Sequence, residues 1–145
     1  MAEIATETAE VNASLKKCWN VVMDIEKYPE WIADIKEVRI LSTDDEGRPD
    51  EVSFRAAAFG RSTNYTLKYD YSGVPNTLKW VQLNGDHTNK LDGSYTFEES
   101  GSKTTITYEL EAELKIPIPG FIKRRAETLI INSALRDLKA RAESN

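Results

Sequence analysis

The chain has one cysteine and one histidine in 145 residues. A single thiol closes no internal disulfide, and one Cys with one His falls short of the ligand set that structural zinc takes. No metal site and no cofactor is expected. Long apolar runs are missing as well: nothing approaches the ~20 residues needed to cross a bilayer. The N-terminus, Met1-Ala2-Glu3-Ile4-Ala5-Thr6-Glu7, has neither the basic region nor the apolar core of a signal peptide. A cytoplasmic protein without stable membrane insertion is the expectation. Excess positive charge is absent too. At a net charge of −5 the chain offers no general affinity for nucleic acid, which binds chiefly through Lys and Arg at its phosphates. Gly-rich phosphate loops, HExxH and the elbow-like glycine pattern around a nucleophilic serine are all lacking.

The charge that is present is uneven. From Pro119 onward, Lys123, Arg124, Arg125, Arg136, Lys139 and Arg141 face only Glu127, Asp137 and Glu143, so this segment is +3 and the remainder −8. A solvated helix face is the plain reading of such a segment. Transient contact with an anionic membrane is the other.

No linker, repeat or low-complexity tract interrupts the chain, and its length fits one domain over residues 1–145. Ile4 to Val11 alternates as a strand. A helix follows, capped by Asn12 or Ser14, with Leu15, Cys18, Trp19 and Val22 on one apolar stripe. Cys18 is thereby placed in the core. Pro29 ends that helix by disfavouring helical geometry at Tyr28, and is well suited to start a second short helix containing Trp31 and Ile32.

Beyond Asp34 the period changes to two, and five or six strands follow. The turns between them are Asp44-Asp45-Glu46-Gly47, Gly60, Ser72 to Asn76, Asn84-Gly85 and Glu99 to Ser102. Connections this short join antiparallel neighbours only, which predicts a meander. After Ile116-Pro117-Ile118-Pro119-Gly120 comes a helix of about 24 residues, roughly 36 Å long. One stripe on it is Ile122, Ala126, Leu129, Ser133 and Ala140, and Ile130, Ile131, Ala134, Leu135, Leu138 and Ala142 broaden the apolar arc. A helix like that needs cover on several sides, which a strongly curved sheet can give.

Alternation places Val52, Phe54, Ala56 and Ala58 on the face toward that helix, with Tyr65, Leu67, Tyr69 and Tyr71 beside them. Leu78, Trp80, Gln82 and Asn84, then Leu91, Gly93, Tyr95 and Phe97, then Ile106, Tyr108, Leu110, Ala112 and Leu114 continue it. Ala56, Ala58 and Gly93 are small, so either the helix approaches closely there or space is left open. Tyrosines and Gln82 among apolar residues fit a small-molecule cavity, and equally a core whose hydroxyls reach the rim. His87, beside Asn84-Gly85-Asp86, reads as an exposed turn residue. Arg55 alternates with Phe54 and points to solvent on that parity, and Glu109, Glu111 and Glu113 read as an exposed strand face. No catalytic set is evident.

This arrangement resembles the helix-grip fold of the START-like (SRPBCC) superfamily, which includes the birch-pollen allergen family, polyketide cyclases/dehydrases and coenzyme Q-binding START-like proteins. The residues that carry the resemblance are Trp19, Asp24, Tyr28-Pro29-Glu30-Trp31, Ile35 to Val38 and Gly47, then Pro117, Pro119-Gly120-Phe121 and Lys123-Arg124-Arg125-Ala126-Glu127. It implies an α+β fold: a curved antiparallel sheet of six to seven strands wrapped around a long C-terminal helix, with two short helices after the first strand. It also implies a cavity between sheet and helix for a lipid, quinone or polyketide-like molecule. Aromatase/cyclase members of the superfamily set Arg, Tyr, Ser or His side chains in that cavity, and no equivalent set stands out here. The leading expectation is therefore a binding or transport protein. Its aromatic walls would be Tyr65, Tyr69, Trp80, Tyr95 and Tyr108, with Phe54, Ala56 and Leu67 alongside. Gln82 would orient a polar head, Leu129, Ile130 and Ser133 would form the helix side, and the segment around Trp31 would cap the site. Two other readings stand beside it. One is a cyclase or dehydrase using Tyr65 or Tyr95 as general acid, and the other is a protein-interaction module on the outer sheet face.

Overall fold

A computed structural model of the chain describes residues 4–58, 61–115 and 117–144. The bend expected at Gly60, the side chain of Ala58 and the expectation for Ile116 lie outside them. Strand β1 (Ile4–Val11) leads into α1 (Leu15–Met23), a 3-10 turn (Ile25–Lys27) and α2 (Tyr28–Trp31). Six strands follow: β2 (Ile35–Thr43), β3 (Pro49–Ala58), β4 (Arg61–Asp70), β5 (Thr77–Gly85), β6 (Thr88–Ser100) and β7 (Lys103–Leu114). Helix α3 (Gly120–Glu143) completes the described chain. The strands form one seven-stranded sheet in the order β1-β7-β6-β5-β4-β3-β2, and every neighbouring pair is antiparallel. The helix-grip architecture implied by the sequence is the one observed.

Local chemistry explains the junctions. Ser14 caps α1, its Oγ accepting from Lys17 N at 3.2 Å, while Cys18 and Val22 are buried and Leu15 and Trp19 pack beside them. Burial raises the Cys18 thiol pKa. The α1 helix ends at Met23, where Asp24 leaves helical geometry, so Pro29 is not what stops it; Tyr28 is itself helical, with φ −50° and ψ −40°, and Pro29 stands in the first turn of α2. In the first hairpin Gly47 takes a positive φ of 79°, and the Asp44 carboxylate accepts from Glu46 N, Arg48 N and Arg48 Nε at 2.8–2.9 Å. The β5–β6 turn differs from expectation. Gly85 stays in the strand, paired with Tyr65, and has no positive φ, so the chain reverses at Asp86 and His87 instead. The cause is Asp86, whose N–H donates to Asn64 O while its carboxylate accepts from Thr63 Oγ1 and Asn64 N, tying the end of β5 to β4.

Helix α3 buries Glu127, Ile131, Ala134, Leu135, Leu138 and Ala142, a single stripe with the helical period. The wide apolar arc read from the sequence thus resolves into two opposite faces. Ile122 and Leu129 point outward and are 46% and 63% exposed. The alternation holds for the sheet: Val52, Leu78, Phe97, Ile106 and their same-parity neighbours are buried. Asn84 is the exception, exposed because β4 and β5 slip register between Thr66 and Leu67. The two edges differ. Strand β1 is covered by α3, with Lys139 Nζ donating to Glu10 O at 2.8 Å, whereas β2 pairs with β3 through register shifts near Ile35, Ile40 and Ser42.

Gly93 answers the question raised by its size. A Cβ there would lie 2.5 Å from Trp80 Cζ2 and 2.7 Å from the Glu109 carbonyl oxygen, so the Trp80 ring occupies the space that a side chain would need. Gly93→Ala is expected to destabilise the protein by about 1–3 kcal/mol through overpacking. Denaturant unfolding of the two proteins compares them directly, and an unchanged midpoint would contradict the close contact.

Candidate functional site: an aromatic cavity under helix α3

Between the concave face of the sheet and α3 lies a cavity of about 100 Å³. Its sheet side is built by alternation: Phe54 and Ala56 of β3, Tyr65, Leu67 and Tyr69 of β4, Trp80 of β5, Tyr95 of β6, and Tyr108 and Leu110 of β7. Ile130 and Ala134 of α3 and Tyr28 and Ile32 at α2 close it. The rings touch in series. Phe54 stacks between Tyr28 (6.3 Å between centroids) and Tyr65 (5.4 Å). Trp80 meets Tyr69, Tyr95 and Tyr108 at 6.1, 5.4 and 5.8 Å. Lining residues that keep partial exposure, Asp34, Ile35, Ala57, Leu91 and Ile130, mark where the cavity meets solvent.

Hydroxyl groups give this cavity its polarity. The Tyr28 hydroxyl donates to Val22 O at 2.6 Å and that of Tyr71 to Pro49 O. The hydroxyls of Tyr65, Tyr69, Tyr95 and Tyr108 make no hydrogen bond to a described residue. Yet among the described residues no fully enclosed side-chain polar atom lacks a partner. These hydroxyls therefore open onto accessible space, although their residues are only 4–9% exposed. Burial pushes the pKa of all four up. For Tyr65 the neighbouring Tyr108 and the negative charge of Asp34 add to it, and for Tyr95 the neighbouring tyrosines do.

Of the residues expected at the site, Phe54, Ala56, Tyr65, Leu67, Tyr69, Trp80, Tyr95, Tyr108 and Ile130 line the cavity. Four are elsewhere. Leu129 and Ser133 lie on the other side of α3 from Ile131 and Leu135, the residues that set the helix phase. Gln82 is closed on a hairpin partner: its Nε2 donates to Thr88 O at 2.9 Å, and its Oε1 accepts from Thr88 Oγ1. Trp31 sits edge-on to Tyr28 at 5.3 Å and borders an outer cleft with Lys17, Asp24 and Arg141, so the segment caps the cavity through Tyr28 and Ile32. Thr63 and Thr88 were not expected there. Thr63 shares parity with Tyr65, a usable signal, whereas Thr88 follows a hairpin and a register shift that alternation does not convey.

A larger depression of about 790 Å³ lies on the outer side of the sheet among Arg48, Asp50, Lys68, Lys79, Glu109 and Glu111. Its walls are open and carry charged pairs such as Lys68–Asp50 at 2.8 Å, so it lacks the enclosed apolar surface of a ligand site. His87, 34% exposed in its side chain, stands 3.7 Å from Asp86 at the hairpin tip, outside the cavity. Among the described residues no three His, Cys, Asp or Glu side chains are grouped to hold a metal ion, and no helix is long and apolar enough to cross a membrane.

A family model described as polyketide cyclase / dehydrase and lipid transport matches residues 11–139. No curated protein matches the chain. Among solved structures, a START superfamily protein from Mycobacterium smegmatis is similar over 97% of both chains, with a TM-score of 0.92 and 26% identity. The Zhui aromatase/cyclase from Streptomyces sp. R1128 matches 99% of this chain and 94% of its own, with a TM-score of 0.86 and 13% identity. A major latex-like protein from Panax ginseng matches 99% of each chain, with a TM-score of 0.77 and 11% identity. The last two likenesses, at such low identity, concern the fold.

The buried phenols make the protein sensitive to alkali. Each native tyrosine pKa lies above the unfolded value of about 10, so stability is complete below that pH and falls as pH rises through it, because only the unfolded chain then releases these protons. Tyrosinate absorbance near 295 nm is expected to appear together with loss of the native circular dichroism. Phenols that titrate near pH 10 in the folded protein would contradict the enclosure.

Proposed function

The chain belongs to the polyketide cyclase / dehydrase and lipid transport family, and on that premise we propose that it binds and carries a hydrophobic small molecule in the cavity beneath α3. The observation that carries this reading is the pairing of an aromatic wall with the hydroxyls of four largely buried tyrosines that have no partner among the described residues. Apolar surface with a few polar groups is the usual make-up of a small-molecule site. Unpartnered donors favour a ligand that brings its own acceptor oxygens, as a quinone, a polyketide-like aromatic or a lipid head does.

At about 100 Å³ the cavity is smaller than the roughly 300 Å³ of a drug-sized site, so such a ligand must displace part of the wall. Ile35, Leu91 and Ile130 are the half-buried residues suited to give way. Capture would then couple binding to an outward shift of these side chains, with Trp80 reporting on arrival.

Catalysis by a tyrosine is the second reading, favoured by the same free hydroxyls. A general acid works best with a pKa near the working pH, and here burial moves each phenol further from neutrality. Asp34, the one charged residue on the lining among the described residues, raises that of Tyr65 further. This favours a carrier over a cyclase or dehydrase.

Solvent extraction of the purified protein followed by mass spectrometry is expected to release a stoichiometric apolar molecule. Ligand-stripped protein should then quench or shift Trp80 fluorescence when a quinone such as menadione is added. Ala56→Leu, which fills the cavity, should weaken that binding at least tenfold while the fold is retained. Tyr65→Phe and Tyr95→Phe should each weaken it about fivefold, the equivalent of one hydrogen bond near 1 kcal/mol. Undiminished binding by Ala56→Leu would place the ligand elsewhere. Turnover of a polyketide substrate that is lost in Tyr65→Phe or Tyr95→Phe would replace the carrier reading with the enzymatic one.

A further inference from the structure

Helix α3 has a second apolar face that no described residue covers. Ile122 and Leu129 lie about two turns apart on one line of the helix, on the side opposite Ile131 and Leu138. With Phe121 at its edge, this face leaves three large apolar side chains 68%, 46% and 63% exposed, in the order Phe121, Ile122, Leu129. Cations interleave with them. Arg125 makes no hydrogen bond or ion pair with a described residue, and the Arg136 side chain is 76% exposed, held only by long contacts of 3.4 Å to Ser133 and 3.9 Å to Asp137. Lys123 is excluded from this set, since its ammonium is paired with buried Glu127 at 2.8 Å.

Apolar side chains interleaved with arginines on one surface suit the interface of an anionic bilayer, where rings and aliphatic groups enter the acyl boundary and guanidinium groups meet lipid phosphates. We propose that this outward face of α3, Phe121, Ile122 and Leu129 with Arg125 and Arg136, is a docking surface for an anionic lipid membrane. Charge complementarity selects that occupant. Arg125 and Arg136 give this face two cations, on a segment that is +3 from Pro119 onward in a chain whose remainder is −8, so an anionic surface attracts this side of the molecule over the rest. The surface stands on its own residues and does not require that the cavity be occupied.

Sedimentation with phosphatidylcholine vesicles, with and without 30% phosphatidylglycerol, tests it using the whole protein. Binding is expected to the anionic vesicles only, and to weaken as salt is raised. Ile122→Ser with Leu129→Ser should reduce it at least tenfold, and Arg125→Glu should reduce it severalfold. Lys16→Glu on α1 should leave it unchanged. These positions are exposed, so the thermal midpoints of all variants should stay near that of the parent. Failure of the parent protein to sediment with anionic vesicles at low salt would overturn the proposal. So would equal binding by the Ile122/Leu129 variant, or a concentration-dependent dimer that this variant abolishes, which would make the face a contact between copies.

Discussion

The burial of one stripe of α3 against the inner face of the sheet is the contact on which the remaining structure depends. Ile131, Leu135, Leu138 and Ala142 meet a concave surface whose members, among them Ile106 and Val11, are fully enclosed. Neither surface could remain in water alone: a half-exposed sheet of this extent and a helix with an apolar stripe each need the other. The same contact fixes the rotation of α3 about its axis. That rotation sends Ile130 and Ala134 to the cavity and Ile122 and Leu129 to solvent. Cavity wall and outward face are thus two results of a single packing choice.

Within the cavity, enclosure sets the chemistry. Aromatic rings lower the polarity around the tyrosines, which strengthens any hydrogen bond they can offer and makes their ionisation harder. Burial keeps the phenols protonated and able to donate to an oxygen acceptor, and the negative charge of Asp34 at the rim disfavours a phenolate at Tyr65.

The sheet was legible because its period is two and its turns are short: Phe54, Tyr65, Trp80, Tyr95 and Tyr108 all fall where alternation puts them. The second short helix at Pro29 was readable, but the break was not placed correctly: it falls at Asp24, and Tyr28 is helical although a proline follows it. Asn84, Gln82 and Thr88 were less so, because a register slip and side-chain bonding within one hairpin leave little trace in composition. Leu129 and Ser133 were misplaced for another reason. A long helix with apolar residues on two sides does not itself indicate which side the sheet will take. Trp31, the most conspicuous aromatic of its segment, stands behind Tyr28 and acts on the cavity through it.

The unequal edges of the sheet bear on how the protein survives at high concentration. An open sheet ends in two rows of unpaired backbone groups, and a long regular edge is a template for another chain. Here α3 lies over β1, while β2 slips register repeatedly and carries Lys36, Glu37 and Arg39 along its length. A second molecule that tried to extend the sheet past β2 would find hydrogen-bonding groups out of step and charges in its path. The irregular pairing of β2 with β3 and the charges along β2 thus make this edge a poor template for another chain, and the 3-10 turn and α2 lie against the strand as well.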